Sequence, residues 1–70
     1  MLLSLAPLGD VHQVKAIWAG DKVKNALEEA GITVDCELVV VLRPCEDSLI
    51  VRVKDKRIAI SGALARKIIV

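Results

Sequence analysis

The sequence contains one aromatic residue, Trp18, and neither phenylalanine nor tyrosine. Grooves that bind proline-rich peptides and platforms that stack single-stranded nucleic acid are both built from several aromatic rings. A lone indole supplies neither surface. We therefore expect Trp18 either to sit half in the core, where it shields a long loop, or to anchor a protein interface.

Cysteine and histidine are equally scarce, with Cys36, Cys45 and His12 as the whole supply. Two cysteines are too few for the disulfide framework of a small secreted domain, which favours a reducing cytoplasm. No C-x-x-C pair or second histidine provides metal-ligand spacing. We predict no metal site. Cys36 is expected to be a small core residue, and Cys45 an exposed turn thiol or a fortuitous ligand for a soft metal.

Residue patterns that support catalysis are also missing. The sequence has no paired-carboxylate spacing, no glycine-rich phosphate loop and no Ser-His-Asp set. The single histidine, His12, lies near no obvious nucleophile. These absences predict a protein that is not an enzyme, with no catalytic residue and no cofactor.

Neither charge nor hydropathy provides a means of holding nucleic acid or lipid. Ten basic residues stand against nine acidic ones, for a net charge of +1, so no strong field attracts a polyanion. The longest apolar run, Leu38 to Leu42, is far shorter than the roughly 20 residues of a membrane helix. The N-terminal segment lacks the basic start of a signal peptide. We expect a soluble cytoplasmic protein with no nucleic-acid partner and no direct membrane insertion.

What the chain has in excess is aliphatic residues. Its 70 residues make one domain, 1–70, in which apolar residues reach 54%. A chain of this size buries only about 60% of the surface that its unfolded form exposes. Some apolar side chains must therefore remain accessible or meet a partner.

One helix is predicted from Asp21 to Ala30, because apolar residues recur there at helical spacing and Gly31 can end it. Lys22 and Lys24 lie in its first turn, where the helix dipole disfavours positive charge. Either Lys24 pairs loosely with an acidic residue one turn later, or both lysines are presented to an acidic partner.

The remaining segments alternate with a period of two and predict about five short strands, closed into a small barrel. Residues 11–18 alone fit a helix or a bulged strand equally well. Further on, we expect turns at 44–48 and 55–56, a single helical turn at 61–65 and a closing strand at 66–70. Cys36 and Leu42 are expected to face inward. The predicted core consists of Leu38, Val40, Leu49, Val51, Val53, Ile58, Ile60 and Ile68, with Val23 and Leu27 docking the helix.

Several segments resemble the FeoA (ferrous iron transport protein A) family. They are Leu5-Ala6-Pro7-Leu8-Gly9, Leu27-Glu28-Glu29-Ala30-Gly31-Ile32, Leu49-Ile50-Val51-Arg52-Val53, Arg57-Ile58-Ala59-Ile60 and Ala65-Arg66-Lys67-Ile68-Ile69-Val70. The resemblance implies an SH3-like barrel with a helix inserted in the first long loop, and it assigns residues 11–18 to a strand. Where the family usually has Pro-Gly after the helix, this chain has Thr33-Val34-Asp35, and aspartate adopts the left-handed conformation less readily than glycine.

The same resemblance implies a function. The expected protein is a non-enzymatic accessory of ferrous iron uptake that binds the cytoplasmic, GTP-binding part of the membrane transporter FeoB. It would then lie in the cytoplasm or at the inner membrane through that transporter. The alternative is a homo-oligomeric regulatory module related to the C-terminal domain of iron-dependent repressors.

Two surfaces are candidates for the partner contact. On one, Val39, Val41 and Ile50 face away from the predicted core, with cationic residues at the rim: Arg43, Arg52 and Lys54. Contiguous exposed apolar surface on a small protein usually marks an interaction site. The alternative is that the helix or the Leu2-Leu3 segment covers this face. The second candidate is the long loop that carries Trp18, Lys22 and Lys24.

Overall fold

A computed structural model describes all residues, Met1–Val70. After a short 3-10 turn at Leu3–Leu5, the elements are β1 (Val11–Gln13), β2 (Ala16–Ile17), α1 (Asp21–Glu29), β3 (Glu37–Cys45), β4 (Ser48–Val53), β5 (Lys56–Ser61), α2 (Gly62–Ala65) and β6 (Ile68–Ile69). No helix has the length and apolar character needed to cross a bilayer.

The strands form two antiparallel sheets, one with the order β1-β3-β4-β5 and one that pairs β2 with β6. β1 and β2 follow each other closely and each joins a different sheet, so this bent stretch links the two. The helix α1 lies in the long connection between β2 and β3. The predicted SH3-like barrel with an inserted helix is confirmed, and the predicted first strand is divided in two.

The core is entirely aliphatic and contains 15 buried hydrophobic residues. Seven of the eight predicted barrel positions are among them, and Ile58 is half-buried and packs against the cluster. The prediction for Val23 is wrong, because this side chain is 37% exposed. In α1 only Leu27 is buried and Lys24 is half-buried, as is Ala30, the residue that directly follows the helix. The helix is thus rotated so that Lys24, Leu27 and Ala30 face the barrel.

A β-bulge in β3 overturns the predicted orientation of Leu42. Val40 pairs with Val51 of β4, and the next pair joins Leu42 to Ile50, which leaves Val41 as an extra residue. An extra residue reverses the inside–outside alternation beyond it. Leu42 is therefore 52% exposed instead of buried.

The first hairpin turn is shorter than predicted, and the second lies one residue earlier than predicted. β3 continues through Cys45, so the turn that joins it to β4 contains only Glu46 and Asp47. The turn between β4 and β5 consists of Lys54 and Asp55, and Lys54 adopts a φ of 56°. The predicted single helical turn is confirmed as α2, where the Ser61 hydroxyl accepts a hydrogen bond from the Leu64 N–H at 3.2 Å.

The end of α1 is a Schellman motif. Gly31 has a φ of 98°, as the sequence predicts, and its N–H donates to the Glu28 carbonyl at 3.0 Å. The Ile32 N–H donates to the Leu27 carbonyl at 2.8 Å, which brings these two buried side chains together. Asp35 adopts a φ of 74°, so it takes the left-handed conformation without glycine.

The two ends of the chain meet beside β6. The Met1 amino group donates to the Val70 carbonyl at 2.7 Å, and the Val70 N–H donates to the Met1 carbonyl at 2.8 Å. Leu2 forms an isolated bridge with Ile69. Leu3 and Ala6 are fully buried, so the N-terminal segment is part of the core.

Two leucines of β3 provide a matched test of the core. Leu38→Ala removes a side chain that is 1% exposed and should lower the free energy of unfolding by about 2–5 kcal/mol. Leu42→Ala, at a position that is 52% exposed, should change it by about 0.5 kcal/mol or less. Thermal and urea unfolding followed by circular dichroism measure both. Equal losses would show that the register across the bulge is wrong.

Gly31 provides a test of the helix end. Gly31→Ala places a Cβ in the left-handed region and should cost about 1–2 kcal/mol of stability. Gly31→Asn should cost less, because asparagine tolerates this conformation. Denaturant midpoints compare the two variants. An alanine variant as stable as the asparagine variant would contradict a strained left-handed position.

Candidate functional site

The first candidate surface, which we call the sheet face, is the outward side of β3, β4 and β5. Two rows of paired residues cross it. Val39 pairs with Arg52, which pairs with Arg57. Leu42 pairs with Ile50, which pairs with Ala59. Residues directly opposite each other in neighbouring strands present their side chains on the same side of a sheet, so each row is a continuous strip.

The four predicted residues of the sheet face lie on this outward side. Val41 is 36% exposed, Val39 and Ile50 are half-buried, and Arg52 is exposed. The structure adds Val11, which pairs with Val39 and is 61% exposed. The face is therefore an aliphatic surface bordered by arginine.

Three further residues of this face were missed from the sequence: Val11, Leu42 and Arg57. Arg57 could have been found, because a two-residue turn between β4 and β5 places it directly opposite Arg52. Leu42 could not have been found from the sequence, because its outward position depends on the bulge. The pairing of Val11 depends on a long-range contact that periodicity does not indicate.

Two open hollows mark the sheet face. The larger, of about 420 Å³, has Val11, Val39, Arg52 and Lys54 in its wall, together with Glu37. The smaller, of about 180 Å³, is lined by Val41, Leu42, Ile50 and Arg57. Each combines aliphatic walls with at least one cationic side chain. Such hollows can hold an apolar side chain next to a carboxylate.

The N-terminal segment does not cover this face as one alternative proposed, because Leu2 bridges to Ile69 at β6 and Val41 remains exposed. Arg43, expected at the rim, instead donates from its guanidinium to the Ala6 carbonyl at 3.1 Å. That hydrogen bond ties the far end of β3 to the N-terminal segment.

The second candidate surface, the loop surface, consists of Trp18, Lys22 and Lys24. Trp18 is 70% exposed, so the first of the two alternatives, in which half of it lies in the core, is wrong. Its backbone N–H donates to the Lys67 carbonyl at 2.7 Å, which fixes the segment after β2 against the approach to β6. Lys22 is exposed and Lys24 is half-buried against the barrel.

The two surfaces remain separate. The sheet face belongs to the four-stranded sheet, whereas Trp18 is fixed beside the sheet of β2 and β6. No hollow is lined by residues of both surfaces. A partner that contacts both would have to reach around the barrel.

Chemically reactive groups are dispersed. No three His, Cys, Asp or Glu side chains come together in a way that could hold a metal ion. The His12 Nε2 lies 3.3 Å from the Pro7 carbonyl oxygen. Cys36 is half-buried and packs against the core, as predicted. Cys45 is exposed.

The Cys45 thiol has one distinctive property. Its Sγ lies 3.3 Å from the Ser48 hydroxyl, and this hydrogen bond, together with one from the Asp47 backbone, lowers the pKa of the thiol below its usual value. The Asp47 carboxylate acts in the opposite direction and raises that pKa. Cys45 therefore carries more thiolate near neutral pH than an unperturbed cysteine does.

Alkylation rates test this assignment. In a Cys36→Ala background at pH 7.5, Ser48→Ala should slow the reaction of Cys45 with iodoacetamide, because loss of the hydroxyl raises the thiol pKa. Asp47→Asn should accelerate it, because removal of the negative charge lowers that pKa. Rates measured from pH 6 to 10 give the midpoints. Shifts of the same sign in both variants would contradict these causes.

Several solved protein structures share the whole fold of this chain. The FeoA protein of Chlorobium tepidum is similar with a TM-score of 0.89 and 24% identity, over 99% of this chain and 67% of that one. A crystal structure of an iron uptake regulatory protein (FeoA) has a TM-score of 0.85 and 28% identity, over 97% and 91%. A manganese-dependent transcriptional repressor has a TM-score of 0.85 and 21% identity, over 97% of this chain but 39% of the repressor.

A comparison with curated protein sequences finds no match. The FeoA domain, in contrast, matches from the first residue to the last, residues 1–70. This match agrees with the barrel, the inserted helix and the structural relatives. The chain therefore belongs to the FeoA domain family.

Proposed function

We propose that this protein is a non-enzymatic accessory of ferrous iron uptake, and that it acts by binding the cytoplasmic, GTP-binding part of a FeoB-type transporter through the sheet face. The observation that carries the proposal is the exposed aliphatic surface of β3 and β4 next to Arg52 and Arg57. Membership of the FeoA domain family and the solved FeoA proteins of similar fold support the connection with iron transport.

The sheet face has the composition of a contact surface. Val41 and Leu42 project from the bulge, and Val11 extends the apolar area across β3. Burying such side chains against a partner removes apolar surface from water, at roughly 25 cal/mol per Å². The arginines at its border orient a negatively charged partner and accelerate encounter more than they add affinity.

An accessory protein of this kind acts through differential affinity. A binding protein shifts the conformational equilibrium of its partner only if it binds one state more tightly than the other. The chain brings no catalytic constellation of its own into this complex, so its effect on the transporter would be conformational. The loop surface, with exposed Trp18 and Lys22, is a second contact if the partner extends around the barrel.

A second candidate function is a homo-oligomeric regulatory module. The observation in its favour is the structural likeness to a manganese-dependent transcriptional repressor, of which this chain corresponds to 39%. In that case the sheet face would join copies of this chain, and the exposed aliphatic residues would be buried in a symmetric interface.

Binding to the purified, detergent-solubilised transporter from the same organism tests the proposal. Val41→Lys combined with Leu42→Lys places two charges on exposed positions of the sheet face and should weaken capture by about tenfold or more. The control is Val34→Lys with Ala63→Lys, an equal change of charge at two exposed positions outside both surfaces. Lys22→Glu with Lys24→Glu tests the loop surface separately.

Circular dichroism and thermal unfolding establish that each variant is folded. If the sheet-face variant is folded and captures the transporter as well as the control does, the sheet face is not the interface. If only the lysine reversals reduce capture, the loop surface is the contact. A sheet-face variant that changes an oligomer into a monomer on analytical ultracentrifugation, with capture unchanged, would favour the homo-oligomeric module.

A further inference from the structure

The edge of β5 is a long strand edge that the chain leaves open. β5 is six residues long and ends the four-stranded sheet. At the other end of that sheet, β1 is only three residues long. In the second sheet, β6 is covered on its outer side by Met1 and Leu2. Open edges present unpaired backbone groups to any extended chain that approaches them.

The pairing with β4 shows which residues of β5 face this edge. The Gly62 N–H donates to the Asp47 carbonyl, which continues the β4–β5 ladder beyond Ser61. In an antiparallel ladder hydrogen-bonded pairs alternate with pairs that are not hydrogen-bonded. Ile58 and Ile60 therefore bond to β4, whereas Arg57, Ala59 and Ser61 direct their backbone groups outward.

Those outward backbone groups have no partner in another strand, and Ser61 is in addition the N-cap of α2. β5 pairs with β4 alone. None of the backbone hydrogen bonds outside the helices and ladders involves residue 57, 59 or 61. Arg57, Ala59 and Ser61 are all exposed, so three successive docking points for an added strand are accessible to solvent.

Two arginines lie side by side next to this edge. Arg52 and Arg57 lie directly opposite each other in a pair that is not hydrogen-bonded, the arrangement in which side chains are closest. Like charges placed opposite each other destabilise a sheet. Neither guanidinium takes part in any side-chain hydrogen bond of the chain. Lys54, in the hairpin turn, lines the same hollow as Arg52 and Glu37, whereas Lys56 pairs with Val53 and lies on the other side of the sheet.

Beside the arginine pair, the edge is recessed. Ala59 follows Leu42 and Ile50 in the second row of the sheet face, so a small side chain ends a row of larger ones. The hollow of about 180 Å³ is lined by Leu42 and Ile50 of this row, together with Val41 and Arg57. A large apolar side chain on an added strand would extend the row at this position.

We propose that the β5 edge binds an extended segment of a protein partner as an additional antiparallel strand. The segment carries a large apolar residue opposite Ala59 and, two residues later in its own sequence, an acidic residue opposite Arg57. Because the added strand runs antiparallel, the apolar residue comes first. The carboxylate neutralises the Arg52–Arg57 pair, and backbone hydrogen bonds to residues 57, 59 and 61 supply sequence-independent affinity.

A second copy of this chain fits the edge less well than an acidic segment does. Pairing β5 with β5 of another copy adds a second hairpin that carries Lys54, Lys56 and Arg57 and contributes no acid opposite the arginines. Charge complementarity therefore favours a segment from a different protein. The edge site does not depend on the proposed function. Only the assignment of the bound segment to the transporter rests on it.

The probe is an end-capped synthetic peptide, Thr-Ser-Val-Leu-Val-Glu-Thr, whose leucine is designed to lie opposite Ala59 and whose glutamate lies opposite Arg57. Titration into ¹⁵N-labelled full-length protein should shift the amide resonances of Arg57, Ala59 and Ser61 and protect these amides from hydrogen exchange. A peptide with lysine in place of the glutamate, and one N-methylated at the leucine, should each bind about tenfold more weakly.

On the protein side, Arg57→Glu should weaken binding of the glutamate peptide by about tenfold or more. The variant protein should instead prefer the lysine peptide, because the charge at residue 57 is reversed. Lys15→Glu, the same kind of change at an exposed position beside the other sheet, is the matched control and should leave binding unchanged. Both variants are compared by circular dichroism. If Arg57→Glu does not fold, the lysine and N-methyl peptides still test the edge on the unaltered protein.

Several results would overturn the proposal. They are no shift at residues 57, 59 and 61 at millimolar peptide, equal binding of the glutamate and lysine peptides, or β5 amides already protected in a dimer of the free protein. Shifts of these amides with a single-stranded oligonucleotide but not with the peptide would assign the cationic edge to a nucleic acid. Peptide binding without capture of the transporter would retain the edge site and reject the transporter as partner.

Discussion

The architecture depends on the bulge at Val41 in β3. This nine-residue strand pairs with β1 on one side and β4 on the other, and the extra residue bends it. Before the bulge, Leu38 and Val40 fill the core. Beyond it the alternation is reversed, so Leu42 joins Val41 on the outside. One inserted residue thus bends the strand and places two neighbouring aliphatic side chains on the sheet face.

The number of apolar residues exceeds the number of core positions, which explains why this face is apolar. A core of Leu, Ile, Val and Ala side chains needs many residues to fill its volume, and 15 are buried here. A barrel of 70 residues has too little interior for an apolar content of 54%, so the excess appears on the surface. Part of that excess, Val11, Val41 and Leu42, lies on the outward side of β1 and β3 and borders the arginines of β4 and β5, and the rest is spread over other parts of the surface.

Much of the fold could be predicted from local signals. The period of two in β4 placed Leu49, Val51 and Val53 inward, and Gly31 correctly marked the end of α1. The errors have physical causes. Periodicity did not detect the bulge before Leu42, and the apolar stripe of α1 did not indicate that half-buried Lys24 faces the barrel in place of Val23. The predicted contact residues lie on two separate surfaces, and their function stays a prediction.

The open edge of β5 follows from the same topology. An SH3-like barrel built from two sheets leaves a strand at the end of its larger sheet, and in this chain the N-terminal residues cover β6 instead of β5. Positive side chains protect such an edge, because they repel another copy of themselves. Protection by charge alone is selective, however. The cations that discourage pairing between identical chains favour a strand that carries a carboxylate, so Arg52 and Arg57 can both prevent self-association and define the partner.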